Sequence, residues 1–406
     1  MTVLNDAATA ARNGDARALA AALQASRADT LATFEVITCA LPQGVPQQAT
    51  LNPPLWELGH IGWFQEYWIA RNPVRAAGAA ADPDAPRASG MRHNADELYD
   101  SSHVPHATRW TLPLPDATAT RDDLAQQLAG TLACLQPTEH AATPDDDALY
   151  FFRLALFHED MHHEAALYMA QSLGVAIADP RWQATALPAP GVDLAFDAGA
   201  WTLGHTGGGY AFDNELASHS VALPATRIAS RATRWAEYLP FVEAGGYSQP
   251  QWWTAAGAAW LAAEKVRAPR YLRRDGSTWQ QWRHGVWQVL DLAQPACHLT
   301  AFEAQAWCRW AGRRLPTETE WERAATARPD AFEWGQVWEW TASPFAPYPG
   351  FVAHPYRDYS APWFDGRPVL RGASFMTQPR MRHPRYRNFF QPWRNDVPAG
   401  LRSCAL

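Results

Sequence analysis

The sequence predicts an α+β protein in which a helical N-terminal half precedes a C-terminal half of short strands. Long apolar runs at helical spacing fill roughly the first 175 residues. From about Pro188 onward, the strand-like runs are short and are separated by Gly, Pro and Trp. Most of the 21 tryptophans lie after position 200, which favours an irregular core built from large rings. We therefore expect two domains, 1–187 and 188–406.

The N-terminal domain is expected to contain four helices. The second starts at a Pro-Pro pair, a favoured helix beginning, and the fourth ends at Gly174, a favoured helix stop. The expected ranges are 15–40, 53–71, 120–136 and 143–174. The segment 72–115, rich in Ala, Pro and Asp, forms one long connection. Four helices with one long connection predict a helical bundle, whose core is a usual place for metal sites.

The C-terminal domain is expected to contain short strands and two amphipathic helices. The strands are predicted at 226–228, 286–290 and 368–371. The helices are predicted at 233–244 and 300–311, the second ending at Gly312. The boundary between the domains is placed in the linker around 185–192.

Composition narrows the possible partners and the location. The chain of 406 residues has a net charge of −7, and its basic residues are scattered, which argues against a nucleic-acid partner. No stretch is apolar enough to span a membrane, and no secretory leader is recognisable. The five cysteines are far apart with no Cys-x-x-Cys, so a reducing cytoplasm is expected. The sequence does not determine the oligomeric state.

The most informative motif is the pair His158 and His162 inside the fourth expected helix. Residues four apart share a helix face, so both imidazoles can point at one ion, and imidazole suits iron, zinc and copper. The alternative is two polar residues satisfied at a helix interface. The letters also fit the zincin motif, with Glu159 as the base, although zincins carry that motif in a different context. His60, among core-like residues of the second helix, is the candidate third ligand. Three protein ligands leave positions open for substrate, which indicates catalysis.

Several motifs in the same order resemble the EgtB-type ergothioneine synthases, a family of nonheme iron sulfoxide synthases. The N-terminal motifs are Leu-x-His-x-x-Trp-Phe around His60 and His-Glu-x-x-His-x-Glu from His158. The C-terminal ones lie at 312–322, 337–341 and 370–375. The family joins a DinB-like four-helix bundle to a formylglycine-generating-enzyme-like (C-type-lectin-like) domain, and the resemblance covers nearly the whole chain. A true formylglycine-generating enzyme is not expected, because 374–377 contains no Cys.

Two of the C-terminal motifs have a structural interpretation. Glu318 and Glu320 are expected to cap helices or pair with arginines. Trp338 and Trp340 are expected to fill the core. These motifs therefore identify the fold and carry little of the chemistry.

The resemblance implies chemistry and named residues. His60, His158 and His162 would hold Fe(II), with dioxygen as co-substrate and hercynine (N-trimethylhistidine) as the molecule that receives a chalcogen. In that family a tyrosine of the C-terminal domain near the iron donates a proton. The candidates here are Tyr356, which we favour, and Tyr359. For either tyrosine alone, a surface turn is an equally good interpretation.

Two departures from the family pattern concern the chalcogen donor. Family members that use γ-glutamylcysteine carry clustered arginines after the second helix, whereas 98–110 offers only Arg109, with Ser102 among its hydroxyl groups. Fewer cations favour a less anionic donor. Met161 stands where the family often has Gln, and its thioether suits either packing or a more polarizable donor atom.

The C-terminal tail, 387–404, is similar to that of the selenoneine synthase (SenA) branch, which takes a selenosugar. This implies substrate contacts from Phe389, Phe390, Arg394, Asn395 and Asp396, the two rings facing the trimethylammonium group. The alternative is a structural tail with Arg–Asp pairs. We therefore predict a cytoplasmic selenoneine synthase. The alternatives are a sulfur donor such as γ-glutamylcysteine or cysteine, a zinc-dependent DinB-type thiol transferase, and a non-catalytic sugar-binding module.

Overall fold

The computed structural model describes residues 2–136 and 145–406, and it has ten α-helices and thirteen β-strands in those ranges. The helices of the N-terminal half are α1 Thr2–Asn13, α2 Ala16–Ala40, α3 Pro54–Trp68, α4 Ala95–Tyr99, α5 Ala117–Leu135 and α6 Asp146–Leu173. Those of the C-terminal half are α7 Trp235–Glu243, α8 Ala255–Glu264, α9 Ala301–Trp310 and α10 Glu318–Ala327.

Helices α2, α3, α5 and α6 form the bundle that the sequence predicts. Local signals set their ends: the Asp145 carboxylate accepts hydrogen bonds from the first amides of α6, and Gly174 ends it with a left-handed φ of 73°. The expected start of this helix at 143–144 lies outside the described residues. Helix α1 was not predicted, and it packs against the turn Pro379–Met381 of the C-terminal domain. The long connection between α3 and α5 contains the short helix α4.

The C-terminal half is built from small sheets. The strands are β1 Asp193–Phe196, β2 Gly199–Leu203, β3 His219–Leu223, β4 Thr226–Ala229, β5 Leu272–Asp275, β6 Thr278–Arg283, β7 Val286–Val289, β8 Arg313–Arg314, β9 Val337–Pro344, β10 Pro368–Ala373, β11 Asn388–Phe389, β12 Ala399–Leu401 and β13 Cys404–Ala405. Two four-stranded sheets have the orders β1-β4-β13-β8 and β11-β10-β9-β12, beside the hairpin β2-β3 and the sheet β5-β6-β7. The three predicted strands and two predicted helices are confirmed, whereas α8 and α10 were missed.

Large rings and ion pairs fill the core of this half. Trp338 and Trp340 are 1% and 0% exposed, which confirms their predicted packing role. Glu318 pairs with the buried Arg387, and Glu320 completes a capping box with Thr317, as the sequence predicts for both glutamates. The motifs at 312–322 and 337–341 thus stabilise the fold.

One face of α6 forms the interface between the two halves. A single carboxylate oxygen of Glu164 accepts hydrogen bonds from Trp338 Nε1 (2.7 Å), Ser374 Oγ (2.7 Å) and Thr377 Oγ1 (2.9 Å). One turn earlier, the Asp160 carboxylate receives two hydrogen bonds of 2.7 Å from the Arg380 guanidinium. Because these carboxylates are buried, the helix that carries the histidine pair is fixed to the C-terminal half.

Replacement of Arg380 tests this interface. Arg380→Ala is expected to lower the free energy of unfolding by about 3 kcal/mol, because it leaves the buried Asp160 carboxylate with only Ser26 as a partner. Urea unfolding measures the change. The control is Arg357→Ala, which removes a solvent-exposed ion pair to Asp84 between the same halves and should cost at most about 1 kcal/mol. Equal losses in the two variants would contradict the role of Asp160.

Two further features bear on the sequence predictions. All five cysteines are free. Within the described ranges, no helix has the length and apolar character needed to cross a membrane.

Candidate metal centre

His60 is held inside the bundle by α3. Its side chain is only 3% exposed and is stacked between the rings of Trp56 and Trp63, with centroid distances of 4.9 and 5.8 Å. The ring nitrogen Nδ1 donates a hydrogen bond of 2.8 Å to the carbonyl oxygen of Tyr99 in α4. Since Nδ1 carries the proton, Nε2 keeps a free lone pair.

His158 and His162 lie one turn apart on α6, and their ring centroids are 4.5 Å apart. His162 Nδ1 donates a hydrogen bond to the Glu57 carboxylate of α3. The His158 ring stacks on Phe64 at 3.6 Å with an interplanar angle of 5°. Its Nδ1 is buried and has no hydrogen-bond partner among the described residues.

The three histidines form one cluster. One ring nitrogen from each of His60, His158 and His162 lies within 4.8 Å of the corresponding atoms of the other two. Burial, and then the neighbouring His162, lower the pKa of His60 to about 3. The same causes lower the pKa of His158 well below its usual value. Both rings are therefore neutral at pH 7, which is the form that binds metals.

The cluster fits a transition-metal ion. Imidazole nitrogens suit borderline metals such as Fe(II) and Zn(II), and three of them leave coordination positions open. Metal-bound histidines usually donate their other N–H to a carbonyl or carboxylate, as His60 and His162 do here. Without a bound cation, the ring nitrogens that converge in this buried site would lack partners for their lone pairs, which is unfavourable.

Glu57 is a functional candidate that the sequence reasoning missed. It is buried, and its position three residues before His60 places it on the same face of α3. Burial raises the pKa of its carboxyl group, but the nearby His162 outweighs burial and holds the pKa below its usual value. A glutamate one turn before a candidate metal ligand on the same helix was the available signal.

Substitution of Glu57 should weaken metal binding without removing a ligand. Glu57→Gln is expected to lower iron affinity about 10- to 100-fold, because the amide orients His162 less well and no longer carries charge. Iron titration followed by absorption spectroscopy measures the change. The matched control is Glu97→Gln, a residue exposed on α4, which should leave the affinity unchanged. An unchanged affinity in Glu57→Gln would show that this contact only stabilises the fold.

A pocket of about 470 Å³ opens in front of the cluster, between the two halves of the chain. The N-terminal half contributes Trp56, His60, Ser101, Arg109, His158, Met161 and His162, and the C-terminal half contributes Tyr356, Asp358, Tyr359, Trp363, Arg367, Phe389 and Phe390. Pockets at domain interfaces are common ligand sites. The structure thus brings nine of the thirteen residues predicted for the site, Arg109 among them, together around one cavity.

The two candidate tyrosines differ in their contacts. Tyr356 packs edge-on against Phe64 at 4.9 Å, and its hydroxyl makes no hydrogen bond with any residue that the structure describes. Burial raises its pKa, so the phenol stays protonated at neutral pH. Tyr359 stacks on Phe212, and its hydroxyl donates to the hydroxyl of Tyr386 at 3.2 Å.

The remaining pocket residues show how the wall is built. The Arg109 guanidinium lies 3.8 Å from the Trp56 ring centroid and donates to the Asn52 side chain at 2.9 Å. Met161 Sδ accepts from the Tyr386 hydroxyl at 3.5 Å, and Phe389 stacks on Phe345 at 4.1 Å.

Four predicted substrate contacts lie outside this cavity wall. Ser102 donates to Asp358, which itself lines the pocket. Arg394 pairs with Asp396 at 2.6 Å and lies over the Phe390 ring at 5.1 Å. Asn395 and Asp396 line a separate cavity of about 660 Å³. The Arg–Asp pair was the structural alternative for this tail, and the geometry agrees with it.

Arg367 and Asp358 are pocket residues that the sequence reasoning missed. Arg367 approaches from the C-terminal half and is paired with Asp365 at 2.7 Å. Segment 98–110 does contain only one arginine, as the sequence indicates. The lining residues of the pocket, however, include two guanidinium groups, those of Arg109 and Arg367.

Each half of the chain matches a different known protein family. The family model of the DinB superfamily matches residues 22–166, and that of the sulfatase-modifying factor enzyme 1-like domain matches 193–336. A hercynine oxygenase of Mycolicibacterium smegmatis is 31% identical over 409 residues, which cover 87% of this chain and 90% of that protein. The chain belongs to the hercynine oxygenase family. Family membership confirms the resemblance to the EgtB-type family and identifies the chain as an oxidoreductase.

Two other relatives show the extent of the similarity. The hercynine oxygenase of Mycolicibacterium thermoresistibile is 32% identical over 87% of both chains. The formylglycine-generating enzyme of Streptomyces coelicolor is 29% identical over 37% of this chain and 54% of its own length. The match to hercynine oxygenases therefore spans both halves of the chain. The match to the formylglycine-generating enzyme covers only 37% of it. The selenoneine branch stays a prediction.

Proposed function

We propose that the protein is an Fe(II)- and dioxygen-dependent enzyme that joins selenium from a selenosugar to the imidazole carbon of hercynine, in selenoneine biosynthesis. The observation that carries this proposal is the cluster His60–His158–His162 at the base of a pocket between the two halves. Its support is the membership of a family whose relatives are named hercynine oxygenases.

The three histidines would hold the metal, which supplies activation of dioxygen when bound. The protein's own contribution is to keep the His60 and His158 rings neutral and to orient all three rings. The Tyr99 carbonyl fixes His60, the Glu57 carboxylate fixes His162, and Phe64 supports the His158 ring face.

Hercynine carries a quaternary ammonium group and a carboxylate, and the pocket has groups for both. Its aromatic rings, including Phe389 and Phe390, attract a quaternary cation. Asp358 is the carboxylate of the pocket wall, since Asp396 is neutralised by Arg394 elsewhere. Arg109 makes no salt bridge with a described residue, so its guanidinium is available for a substrate carboxylate.

A proton source also lines the pocket. Tyr356 holds a proton at its hydroxyl at neutral pH and has that hydroxyl free for a substrate. The other candidate, Tyr359, already donates its proton to Tyr386. We therefore assign proton donation to Tyr356.

The charge balance of the pocket favours a neutral donor. Asp365 compensates Arg367, which leaves Arg109 as the uncompensated cation among the described pocket residues. Ser101 and Asp358 offer hydrogen bonds of the kind that sugar hydroxyl groups take. A dipeptide donor with two carboxylates would have fewer cations than it needs.

Oxygen consumption with competing donors tests the proposal. Fe(II)-loaded protein is supplied with hercynine and either a selenosugar, γ-glutamylcysteine or cysteine, and mass spectrometry identifies the product. Turnover with the selenosugar alone is the expected result. Zinc in the purified protein with no oxygen consumption under any condition would contradict the oxygenase function and favour a thiol transferase.

A sulfur donor is the second candidate, because Arg367 adds a guanidinium to the pocket. If Asp365 moved away on binding, Arg109 and Arg367 together would suit a donor with carboxylates. Turnover with γ-glutamylcysteine alone would establish this alternative. Arg367→Gln would then raise KM for that thiol and leave KM for hercynine unchanged.

A further inference from the structure

A second, much smaller cavity lies inside the bundle, beside His162. Its volume is about 30 Å³. Helices α2, α3 and α6 enclose it with mostly apolar side chains: Phe34, Ile37, Leu58, Ile61, Ala166, Met169 and Leu173. The cavity and the substrate pocket have His162 in common.

A surface groove lies next to this cavity. The groove has a volume of about 490 Å³ and is formed by the segment after α2, the start of α3 and residues 109–114; it shares Ile37, Val45 and Pro54 with the cavity wall and Arg109 with the substrate pocket. The groove and the cavity therefore have three wall residues in common.

The polarity of the cavity wall determines which kind of molecule can bind there. Most polar groups of the wall have partners: Glu57 pairs with His162, both ring nitrogens of His163 contact Thr33 and Gln378, and the Asn52 amide oxygen accepts from Arg109. Thr30 Oγ1 is the buried wall hydroxyl without a partner among the described residues. An ordered water needs two to four polar partners, whereas apolar cavities stay dry and admit xenon.

We propose that this cavity binds dioxygen and delivers it to the His162 side of the metal centre. Dioxygen is apolar and diatomic, so it matches both the size and the wall, whereas hercynine and sugars are too large and too polar to enter. This role rests on the proposed dioxygen-dependent function.

Xenon and a filling substitution test the proposal. Crystals of the wild-type protein under xenon pressure should show one xenon atom between Phe34, Ile61 and Ala166. Ala166→Leu fills the space, so it should abolish xenon binding and raise KM for dioxygen severalfold while KM for hercynine stays unchanged. The matched control is Ala148→Leu, the same change at the far end of α6, which should alter neither quantity.

The outcomes separate this proposal from the proposed function. Normal oxygen consumption with no xenon in the cavity, or with ordered water there, would overturn the dioxygen site alone. An unchanged KM for dioxygen in folded Ala166→Leu would also overturn it. If Ala166→Leu does not fold, the wild-type xenon map decides. Xenon bound in a protein that consumes no oxygen would overturn both the delivery role and the oxygenase function.

Discussion

The variants His60→Ala, His158→Ala and His162→Ala are each expected to lose bound iron and, with it, all turnover of hercynine. Each substitution removes one of three nitrogens that lie within 4.8 Å of one another, and two ligands from a buried site hold a divalent ion poorly. Iron per protein, measured by elemental analysis after gel filtration, and oxygen consumption are the two readouts. Secondary structure measured by circular dichroism should be unchanged.

The neighbouring His163 provides the matched control. It is buried on the same helix, but Thr33 and Gln378 occupy its two ring nitrogens, and it lies away from the cluster. His163→Ala is expected to cost about 1–3 kcal/mol of stability and to keep its iron. Iron retained at wild-type affinity in any of the three cluster variants would remove that histidine from the site.

Removal of the Tyr356 hydroxyl should have the second largest effect. Tyr356→Phe is expected to lower the rate of product formation about 10²- to 10⁴-fold, the usual contribution of a positioned proton donor. Iron content should stay at the wild-type level, because the ring still packs against Phe64 and Trp68. Single-turnover kinetics with hercynine and the donor measure the chemical step directly.

The same substitution at Tyr359 distinguishes the two candidates. Tyr359→Phe removes a 3.2 Å hydrogen bond to Tyr386, so we expect a loss of about 1 kcal/mol in stability and a much smaller effect on rate. A large rate loss at Tyr359 with none at Tyr356 would reverse the assignment. Equal losses at both would indicate that the hydroxyl groups act together.

Local signals made much of the fold predictable. The helix stop at Gly174 and the Pro start of α3 depend on backbone conformations that few residues favour, so the sequence shows them directly. The spacing of His158 and His162 likewise follows from helix geometry. Glu318 and Glu320 were expected to cap helices, but no helix range was predicted after them, so helix α10 was missed.

Long-range pairing explains what the sequence did not show. The partner of Glu57 lies 105 positions away, and Arg367 reaches the pocket from the other half of the chain. The pairing of Asp396 with Arg394 is instead local, and it agrees with the alternative of structural Arg–Asp pairs in this tail. No local pattern specifies which of several possible partners a charged side chain meets.

The stretch 158–164 of α6 has a consequence for how such proteins can be recombined. His158 and His162 face the pocket, Glu159 pairs with Arg27 inside the bundle, and Asp160 and Glu164 bind the C-terminal half. A chimera that joins this bundle to a relative's C-terminal half would need the matching Arg, Ser and Thr partners in its recipient. The two halves are therefore interchangeable only together with these matching partners.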